Sequence, residues 1–402
     1  MNQDMVVMKF GGSSVETIEK MQRVAERIIK KTETFEKVVV VVSAMGKTTN
    51  QLLELAKQAA KYPSKREIDM LISTGEQVSI SLLTMILNEK NKHAIALTGF
   101  QAGIKTGGLH TKNKILDIDT SKIEGFLNER KIVVVAGFQG YNENGDITTL
   151  GRGGSDTTAV AIAAKLQCQA EIYTDVDGIY GVDPRLYKEA KKIDVISYEE
   201  MKEMAFLGAK VMEPRSIEIG HRYHIPIYVA SAHNDEIGTY IKEYKKVEEK
   251  TITGLSISEK VMMVTIVNFP AYAKDIAALF IKLAENEINV DMINQTPTGE
   301  GLINLAFTAS ADDLEAINEV LEDIAKRYQE IDVIKNMNVV KVSVVGTGMR
   351  TQSGVAAELF KLLADHHIEF NLVTTSEISI SYTMDKKHKQ KAVEVISHHF
   401  GL

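Results

Sequence analysis

The chain has 402 residues, of which 44% are apolar and 25% charged, and its formal net charge is −7. This length exceeds one compact core, so we expect two or three domains. The acidic balance argues against nucleic acid, which requires a dense basic patch, and against an anionic membrane surface. No apolar run predicts a membrane span, no secretory signal is visible, and Cys168 is the only cysteine. We therefore expect a cytoplasmic protein.

The first 240 residues alternate between short apolar runs and helical patterns. The runs are rich in Val, Ile and Tyr and are apolar on both faces, which is typical of strands buried in a parallel sheet. Helical patterns cover residues 17–31, 68–87 and 197–223. This alternation predicts an α/β domain with an open, mostly parallel sheet and helices on both faces. The predicted strands are MVVMKF, VVVVVSA, HAIALTGF, IVVVAGF, AEIYTDV and IPIYVAS.

A charged segment without a core pattern, residues 241–251, is interpreted as a linker that follows the first domain, residues 1–240. Beyond the linker the sequence repeats itself at an offset of about 80 residues, which is right for two small tandem domains. The matching pairs are VTIVNF (264–269) with VSVVGT (342–347), and residues 278–296 with 358–376.

Each copy of the repeat predicts a small α+β domain, the first at residues 252–338 and the second at 339–402. The first copy continues into a further strand at 330–338, whereas the second copy ends without one. An apolar stretch at 252–258 precedes the first copy and has no assigned place. Our hypothesis is that 252–258 fills the strand missing from the second copy, so that the two domains interlock.

The segment KFGGSSV (9–15) follows a predicted strand and precedes a predicted helix. Gly11 and Gly12 would allow the backbone to approach a phosphate, and the helix N-terminus would offer N–H groups to it. The Lys9 ammonium could neutralise charge on a transferring phosphoryl group. A tight turn with a solvated lysine explains the same residues, and a second loop is what favours phosphate binding.

That second loop, TTLGRGGSDTT (148–158), precedes an Ala-rich helical pattern. Arg152 could hold a carboxylate through two parallel hydrogen bonds. Gly153 and Gly154 could bring backbone N–H groups to an anion. Asp156 could orient Lys9 or a metal-bound water. A simple helix cap is the alternative, but a cap requires neither the arginine nor three glycines.

Seven motifs, which include the two loops just described, lie in order along the first domain: KFGGSSV, VSAMGKTTNQL, STGEQVS, AGFQG, TTLGRGGSDTTAVA, YTDVDGIYGVDPR and GAKVMEPRS. In this order they resemble the amino-acid kinase family, and most closely its aspartokinase branch. The C-terminal repeat is similar to the paired ACT domains of those enzymes, which are amino-acid-sensing modules. The resemblance covers nearly the whole chain. It implies the amino-acid kinase fold followed by two tandem α+β ACT domains of ferredoxin-like fold.

The resemblance also implies roles for individual residues. Lys9 matches the lysine that stabilises the transferring phosphoryl group, and Asp156 the aspartate that organises the catalytic groups. Arg152 matches the arginine that holds the substrate α-carboxylate, and Glu76 the glutamate that meets its α-ammonium. The other substrate-binding matches are Thr48, Thr49, Gly153, Gly154 and Ser155. The ATP-binding matches are Lys9, Phe10, Gly11, Gly12, Ser43, Thr174, Asp175, Tyr180, Asp183, Arg185 and Lys210.

The implied reaction is ATP-dependent phosphorylation of the L-aspartate side chain to 4-phospho-L-aspartate, the first step of lysine, threonine and methionine biosynthesis. A zwitterionic amino acid needs one cationic and one anionic partner, and its attacking carboxylate is already ionised at neutral pH. Mg²⁺ would bridge the ATP phosphates with few or no direct protein ligands. Two alternatives stay open: another amino-acid kinase, and a catalytically silent amino-acid sensor.

Paired ACT domains from two subunits bind lysine, threonine or both in this family, which implies a homodimer or higher homo-oligomer. The loop FPAYAKD (269–275) departs from the family pattern, because Ala271 and Lys274 stand where an aspartate and a glycine are expected. Inhibition by lysine is therefore a hypothesis, and weakened effector binding is its alternative. The effector-binding matches are Asn289, Asp291, Gln295, Gly354, Ser376 and Glu377.

Overall fold

The fold is described from a computed structural model, which covers residues 2–244, 250–328 and 330–402. The middle of the expected linker, residues 245–249, lies outside the described residues. The described chain divides into two units. The first contains residues 2–180, 192–206 and 210–244, and the second contains 181–191, 207–209 and the chain from 250 onward. Two short segments that we expected in the first domain thus belong to the second unit.

The first unit is built from strands β1 to β14 and helices α1 to α8. The strands are β1 (Met5–Phe10), β2 (Lys37–Val42), β3 (Ala94–Leu97), β4 (Ile104–Gly107), β5 (Lys114–Ile118), β6 (Ile132–Ala136), β7 (Gln139–Tyr141), β8 (Ile147–Thr149), β9 (Gln169–Thr174), β10 (Ile179–Tyr180), β11 (Lys192–Ile193), β12 (Val195–Ile196), β13 (Ile227–Ser231) and β14 (Thr239–Ile241). The helices are α1 (Ile18–Lys31), α2 (Thr48–Ala59), α3 (Lys65–Ile72), α4 (Thr74–Glu89), α5 (Ser121–Asn128), α6 (Gly154–Leu166), α7 (Tyr198–Phe206) and α8 (Pro214–Arg222).

The main sheet of this unit has eight strands in the order β12-β14-β13-β9-β1-β2-β6-β3, and among the described strands only β13 and β14 pair antiparallel within it. Its central strands are buried on both faces, as their β-branched composition predicts. Val6, Met8 and Phe10 of β1 share a core cluster with residues of α1 and α4. The alternate residues point to the other face, where α6 packs against β1, β2 and β9. The predicted α/β fold with a mostly parallel sheet is confirmed.

Two of the predicted helical patterns each contain two helices. The pattern at 68–87 corresponds to α3 and α4, which meet at Ser73, whose carbonyl accepts a hydrogen bond from Gln139 Nε2 at 2.8 Å. The pattern at 197–223 corresponds to α7 and α8, separated by residues that include Gly208 at φ +125°. At 68–87 the helical path continues through Ser73, which keeps helical backbone angles. A single helix was the wrong prediction only at 197–223, because a local periodicity does not report a partner from elsewhere in the chain.

Helices α3 and α4 together span Lys65–Glu89, a 25-residue stretch that is long and apolar enough to cross a membrane by length and composition. This stretch differs from the expectation that no apolar run would be long enough to span a membrane. Half of its most apolar window (50%) is buried within the protein. Ile80, Leu83 and Leu87 lie in the core cluster against the sheet, so the apolar character of this stretch serves the core of the first unit.

The second unit contains one six-stranded antiparallel sheet, in the order β16-β17-β15-β18-β20-β19. Its strands are β15 (Gly254–Pro270), β16 (Val290–Gly299), β17 (Leu302–Ser310), β18 (Asp332–Val345), β19 (Leu372–Thr375) and β20 (Ser379–Asp385). Its helices are α9 (Ala273–Glu285), α10 (Leu314–Arg327), α11 (Val355–Asp365) and α12 (Lys389–Phe400).

The two copies of the repeat share strands β15 and β18. Residues 254–258 of β15 pair with 341–345 of β18, which is the position that the interlocking hypothesis requires of them. From Val261 onward β15 continues to pair with β18 on one side and pairs with β17 of the first copy on the other. The predicted strands at 330–338 and 342–347 are one continuous strand, so the expected boundary at residue 338 falls inside β18. Each copy nevertheless keeps its own apolar core.

The shared strand predicts which strands lose exchange protection when a core side chain is truncated. Leu255 is buried in the core of the second copy and Leu279 in the core of the first. We expect Leu255→Ala and Leu279→Ala each to cost about 2–5 kcal/mol. In hydrogen–deuterium exchange, Leu255→Ala should deprotect β20, whereas the matched Leu279→Ala should deprotect β16 and β17. Loss of protection in β17 but not β20 on Leu255→Ala would contradict the shared-strand arrangement.

Candidate active site

Four central strands of the first unit end at one edge of the main sheet. The backbone ties the residues that follow them together: Gly11 N donates to Tyr173 O at 3.4 Å, and Ser43 N donates to Phe10 O at 3.2 Å. Gly137 N donates to Val42 O at 3.0 Å in the same way. The loops after β1, β2, β6 and β9 therefore lie side by side. The carboxyl edge of a parallel sheet is where open α/β folds bind ligands.

The KFGGSS loop packs tightly against the loop that follows β2. Gly46 N donates to Gly12 O at 3.0 Å, and a Cβ at Gly12 would lie only 2.8 Å from the Ala44 carbonyl oxygen. Residues Gly12–Val15 form a 3₁₀ turn, and α1 begins only at Ile18. The helix N-terminus expected directly after the glycines is thus replaced by this turn. The buried Ser14 hydroxyl in the turn has no hydrogen-bond partner among the residues that the structure covers.

Lys9 and Asp156 form an ion pair at this edge, with Nζ and Oδ1 separated by 2.5 Å. Both side chains are nearly buried, at 9% and 12% exposure. Asp156 lies in the first turn of α6, where the helix dipole favours a negative charge. The carboxylate therefore holds the lysine ammonium in a fixed place beside the glycine loop.

The start of α6 packs closely against the residues after β6. A Cβ at Gly154 would lie 2.8 Å from Phe138 Cδ2, and a Cβ at Gly137 would lie 2.7 Å from Ser155 Cβ. Phe138 has φ +69°, a conformation that bulky residues rarely adopt and that often marks a functional site. The motif AGFQG (136–140), which contains both Gly137 and Phe138, carries no predicted site residue. Gly137, directly after the buried strand β6, is the feature of the sequence that could have marked this part of the site.

Ser43 and Ser155 join the two halves of this edge, since their hydroxyl oxygens lie 2.8 Å apart. One follows β2 and the other begins α6, so the hydrogen bond links the loop after β2 to the GRGGSD loop. Both were predicted site residues, the first on the ATP side and the second on the substrate side. The structure brings them into direct contact.

Glu76, near the start of α4, is buried at 2% exposure. Its Oε1 accepts a hydrogen bond from Ala44 N at 3.1 Å, whereas Oε2 has no partner within the described ranges. Burial raises the pKa of this carboxyl to about 8. The neighbouring Gly75 permits the close approach, because its Cβ would lie 2.8 Å from Ala44 Cβ. A buried carboxyl with one free oxygen is suited to a cationic ligand.

Arg152 is exposed on the loop that precedes α6. Gly153 after it has φ +60°, and a Cβ there would overlap Cβ of Glu213. Burial raises the pKa of the Glu213 carboxyl, and the positive charges of Arg215 and Arg152 oppose that shift. Arg152 is thus free to meet an anion from solvent while the backbone behind it is closely packed.

The other predicted residues of the first unit occupy less constrained places. Thr48 Oγ1 donates to Met45 O at 2.6 Å, and Thr49 follows in the first turn of α2. Thr174 Oγ1 donates to Asp175 Oδ1 at 3.0 Å, just after β9. The Tyr180 hydroxyl donates to Asp177 Oδ2 at 2.9 Å, and Lys210 is exposed before α8.

Asp183 and Arg185 belong to the second unit, where they form an ion pair of 2.7 Å. The predicted nucleotide-binding stretch that contains Thr174, Asp175 and Tyr180 therefore divides between the two units. The motif YTDVDGIYGVDPR is continuous in sequence, so its division was not visible in the pattern.

The predicted effector residues form two separate groups in the second unit. Gly354, Ser376 and Glu377 line a cleft of about 610 Å³, in which Arg350 Nε lies 3.1 Å from Glu377 Oε2. Asn289, Asp291 and Gln295 lie at or beside β16, at the opposite edge of the sheet from β19. The structure does not bring the two groups together in one chain, because the repeat places its equivalent loops at opposite ends of a shared sheet.

The acidic side chains of the first-copy region are already engaged. Asp291 forms an ion pair with the buried ammonium of Lys341. In the divergent loop 269–275, the Asp275 carboxylate is buried and accepts a hydrogen bond from the Tyr328 hydroxyl at 2.7 Å. Ala271 N donates to Gly301 O at 2.8 Å. Both acidic groups of this region therefore have partners within the chain.

Comparison with known proteins agrees with this arrangement. The model described as amino acid kinase family matches residues 4–231, and one described as an ACT domain matches residues 342–400. An aspartokinase from Geobacillus stearothermophilus is 48% identical over 399 residues, which cover 99% of this chain and 97% of that protein. The chain belongs to the aspartokinases of the amino acid kinase family. Aspartokinase 2 of Bacillus subtilis is 44% identical, with 99% of this chain and 98% of that protein covered.

Solved aspartokinase structures share the fold. The E. coli aspartokinase III complex with aspartate and ADP has a TM-score of 0.81 at 24% identity and covers 99% of this chain and 100% of that one. Aspartate kinase from Synechocystis is 38% identical with a TM-score of 0.56, covering 99% of this chain and 69% of that one. The predicted family and enzyme class are confirmed: the chain is a kinase that phosphorylates aspartate and carries an ACT regulatory region.

Burial of Glu76 makes a prediction about stability. Between about pH 4.5 and 8 the folded chain keeps a proton at Glu76 that the unfolded chain has released, so stability falls as the pH rises through this window. Glu76→Gln cannot ionise and should be more stable than the unsubstituted protein at pH 8, by on the order of 4 kcal/mol, with the gain fading towards pH 5. Thermal denaturation across this range measures the effect.

The exposed Glu89 on the same helix supplies the control, since Glu89→Gln should show no such trend. A melting-temperature difference between Glu76→Gln and the unsubstituted protein that stays constant with pH would disprove the prediction.

Proposed function

We propose that the carboxyl-edge site transfers the γ-phosphoryl group of ATP to the side-chain carboxylate of L-aspartate, giving 4-phospho-L-aspartate. The observation that carries this proposal is the buried Glu76 carboxyl, whose Oε2 lacks a partner among the described residues. Such a group favours a ligand that brings a positive charge, as the α-ammonium of an amino acid does. The E. coli aspartokinase III structure, which contains aspartate and ADP, supports aspartate and an adenine nucleotide as the ligands.

Aspartate would be held at both ends of its zwitterion. Glu76 takes the α-ammonium, and the exposed guanidinium of Arg152 takes the α-carboxylate through two parallel hydrogen bonds. Loss of the Glu76 proton accompanies binding, because the incoming ammonium favours the ionised carboxylate. The Thr48, Thr49 and Ser155 side chains and the Gly153–Gly154 backbone complete the proposed site. The free side-chain carboxylate of the substrate is then the nucleophile, and it needs no general base because it is ionised at neutral pH.

The phosphate side would be formed by the glycine loop and the lysine. The backbone at Phe10, Gly11 and Gly12 admits phosphate oxygens closely, and the buried Ser14 hydroxyl offers a donor. Lys9, held by Asp156, neutralises charge that develops on the transferring group. Ser43, Thr174, Asp175, Tyr180 and Lys210 are the proposed remaining nucleotide contacts of this unit. Asp183 and Arg185, which belong to the second unit, stay predictions that rest on the family resemblance.

We propose that Mg²⁺ arrives bound to the ATP phosphates. The Asp156 carboxylate at this edge is engaged by Lys9, which supports phosphate oxygens as the main ligands. The metal would supply further charge neutralisation. The work of the chain itself is to align the carboxylate with the phosphorus and to keep the lysine in place.

Replacement of the lysine tests the proposed chemistry. Lys9→Met keeps the volume of the side chain and removes its charge, so kcat should fall by about 10²- to 10³-fold. The matched variant Lys37→Met changes a half-buried lysine at the start of β2, whose Nζ donates to Asn128 Oδ1 at 2.8 Å, and should leave kcat unchanged. Acyl hydroxamate formation measures turnover with aspartate, and with glutamate as the competing substrate. Unchanged turnover in Lys9→Met, or equal use of glutamate, would refute the mechanism.

For regulation, we infer that the cleft lined by Gly354, Ser376 and Glu377 binds an amino-acid effector, lysine or threonine. Its Arg350–Glu377 ion pair offers one group for a carboxylate and one for an ammonium. An E. coli aspartokinase III structure holds lysine and aspartate, at 25% identity and a TM-score of 0.78. The first-copy group is the weaker candidate, because Asp275 and Asp291 already have partners.

We further propose that Asn289, Asp291 and Gln295 meet an effector only in a homodimer or larger homo-oligomer, formed through the ACT regions. In such an assembly a second copy supplies the groups that one chain does not bring together. The proposed setting is a cytoplasmic enzyme at the first step of lysine, threonine and methionine biosynthesis.

Kinase assays with lysine and threonine, alone and together, test the effector proposal. Glu377→Gln should raise the half-inhibitory concentration of the effector by about tenfold, or about 1.4 kcal/mol, because the ammonium loses its ionic partner. Glu322→Gln, an exposed change on α10, is the matched control and should leave that concentration unchanged. If neither amino acid inhibits at millimolar levels, the effector proposal is wrong.

A further inference from the structure

Asp69 of α3 is a fully buried carboxylate, at 0% exposure, that the aspartate and ATP contacts proposed above do not use. A buried charge costs several kcal/mol unless hydrogen bonds compensate it. Its partners therefore indicate what the side chain holds in place.

Three donors saturate this carboxylate. Thr149 Oγ1 donates to Oδ1 at 2.5 Å, and His110 Nδ1 donates to Oδ2 at 2.7 Å. The Thr111 backbone N–H donates to both oxygens, at 3.0 and 3.1 Å. With the Asp69 oxygens as acceptors, the His110 contact corresponds to the ring form that carries a proton on Nδ1.

These donors lie at the base of the loop that carries Arg152. Thr149 is the last residue of β8, three positions before Arg152. Asn113 N donates to Thr149 O at 3.0 Å. Gly151 has φ +77°, and its Cβ would lie 3.2 Å from Thr111 O. Asp69 thus ties both the 109–113 segment and the first residues of the Arg152 loop to α3.

Helix α3 leads directly into the helix that carries Glu76. Ser73 between them keeps helical φ and ψ angles of −64° and −17°, and its carbonyl is held by Gln139. Asp69 is therefore fixed to the Glu76 helix on one side and hydrogen-bonded to the Arg152 loop on the other. It connects the two elements that would hold opposite ends of the amino acid.

Arg215, near the start of α8, also hydrogen-bonds to the base of the Arg152 loop. Its Nη1 donates to Leu150 O at 2.9 Å, and its Nη2 donates to Asn113 O at 3.1 Å. The two carbonyls flank the region that Asp69 holds, so the loop is fixed at its base from two directions.

We propose that Asp69 is a positioning residue that sets the separation between Glu76 and Arg152, and that Arg215 is a second clamp on the same loop. This inference rests on the proposed function through the roles of those two residues. The glycine loop and the Lys9–Asp156 pair have separate hydrogen bonds, to Gly46 and to each other. Loosening Asp69 should therefore affect aspartate and spare ATP.

Steady-state kinetics of Asp69→Asn test the proposal. An asparagine keeps the shape but directs an amide donor at groups that are themselves donors. We expect the KM for aspartate to rise by about 10- to 100-fold, the range that a displacement of about 1 Å produces, with the KM for ATP changed less than about threefold. Arg215→Lys, which cannot span both carbonyls, should show a smaller rise of the same kind.

Glu171→Gln supplies the matched control for lost stability. Glu171 is equally buried, at 2% exposure, and accepts hydrogen bonds from the Tyr173 hydroxyl and from Lys31, each at 2.7 Å. Glu171→Gln should lower the melting temperature without raising the KM for aspartate. If Asp69→Asn shows the same result as Glu171→Gln, Asp69 is merely structural and the inference is overturned.

Arg152→Ala separates this failure from failure of the proposed function. We expect its KM for aspartate to rise steeply, and Asp69→Asn to add much less in the Arg152→Ala background than alone, since one acts through the other. Additive effects would overturn the positioning role and leave the proposed function intact. An unchanged KM for aspartate in Arg152→Ala would overturn the role of Arg152 and, with it, the inference.

Discussion

Strands β9, β1, β2 and β6 pair in parallel, so their carboxyl ends meet at a single edge of the sheet. Every group in the proposed chemistry depends on this constraint. Lys9 is the penultimate residue of β1, Ser43 follows β2, and Asp156 opens the helix that packs beneath the same strands. Glycines complete the arrangement, because the loops pack so closely that a Cβ at Gly12, Gly137 or Gly154 would meet a neighbour at 2.7 or 2.8 Å. The side chains converge because the ends of these parallel strands and the closely packed loops after them lie together.

Three of the buried carboxyl groups in the first unit differ in their hydrogen-bond and ionic partners, and therefore in their proposed roles. Asp69 is saturated by three donors, which is the pattern of a group that holds other parts in place. Asp156 is paired with the lysine whose position matters. Glu76 keeps one oxygen without a partner among the described residues, and burial raises its pKa to about 8, so ionising it costs stability in the folded chain. Incomplete satisfaction of this kind is characteristic of sites that a ligand completes.

In the second unit the two copies of the repeat share strands and are not separate domains. β15 passes from the second copy to the first, and β18 passes back, so the two cores are joined by continuous backbone. The ion pair between the buried Lys341 ammonium and Asp291 adds a side-chain link between the copies. Because these links are continuous backbone and an ion pair, we expect a displacement of one copy to move the other. The effector residues lie at opposite edges of this sheet, which is why a single chain does not assemble them.

The sequence by itself determined the chemistry of the loops and the type of each main element. β-branched runs predict buried parallel strands, paired glycines beside Lys9 and Arg152 predict anion binding, and the internal repeat predicts two related regulatory domains. These are properties of neighbouring residues, which a local pattern records.

Only the tertiary structure decided which distant groups meet. It divided the helical pattern at 197–223 into two helices, divided the nucleotide-binding motif between two units, and joined two predicted strands into β18. It also gave Asp69 its partners, which come from residues 41 to 80 positions away. No local pattern contains that information, because the hydrogen-bond partner of a buried side chain is set by how remote segments pack.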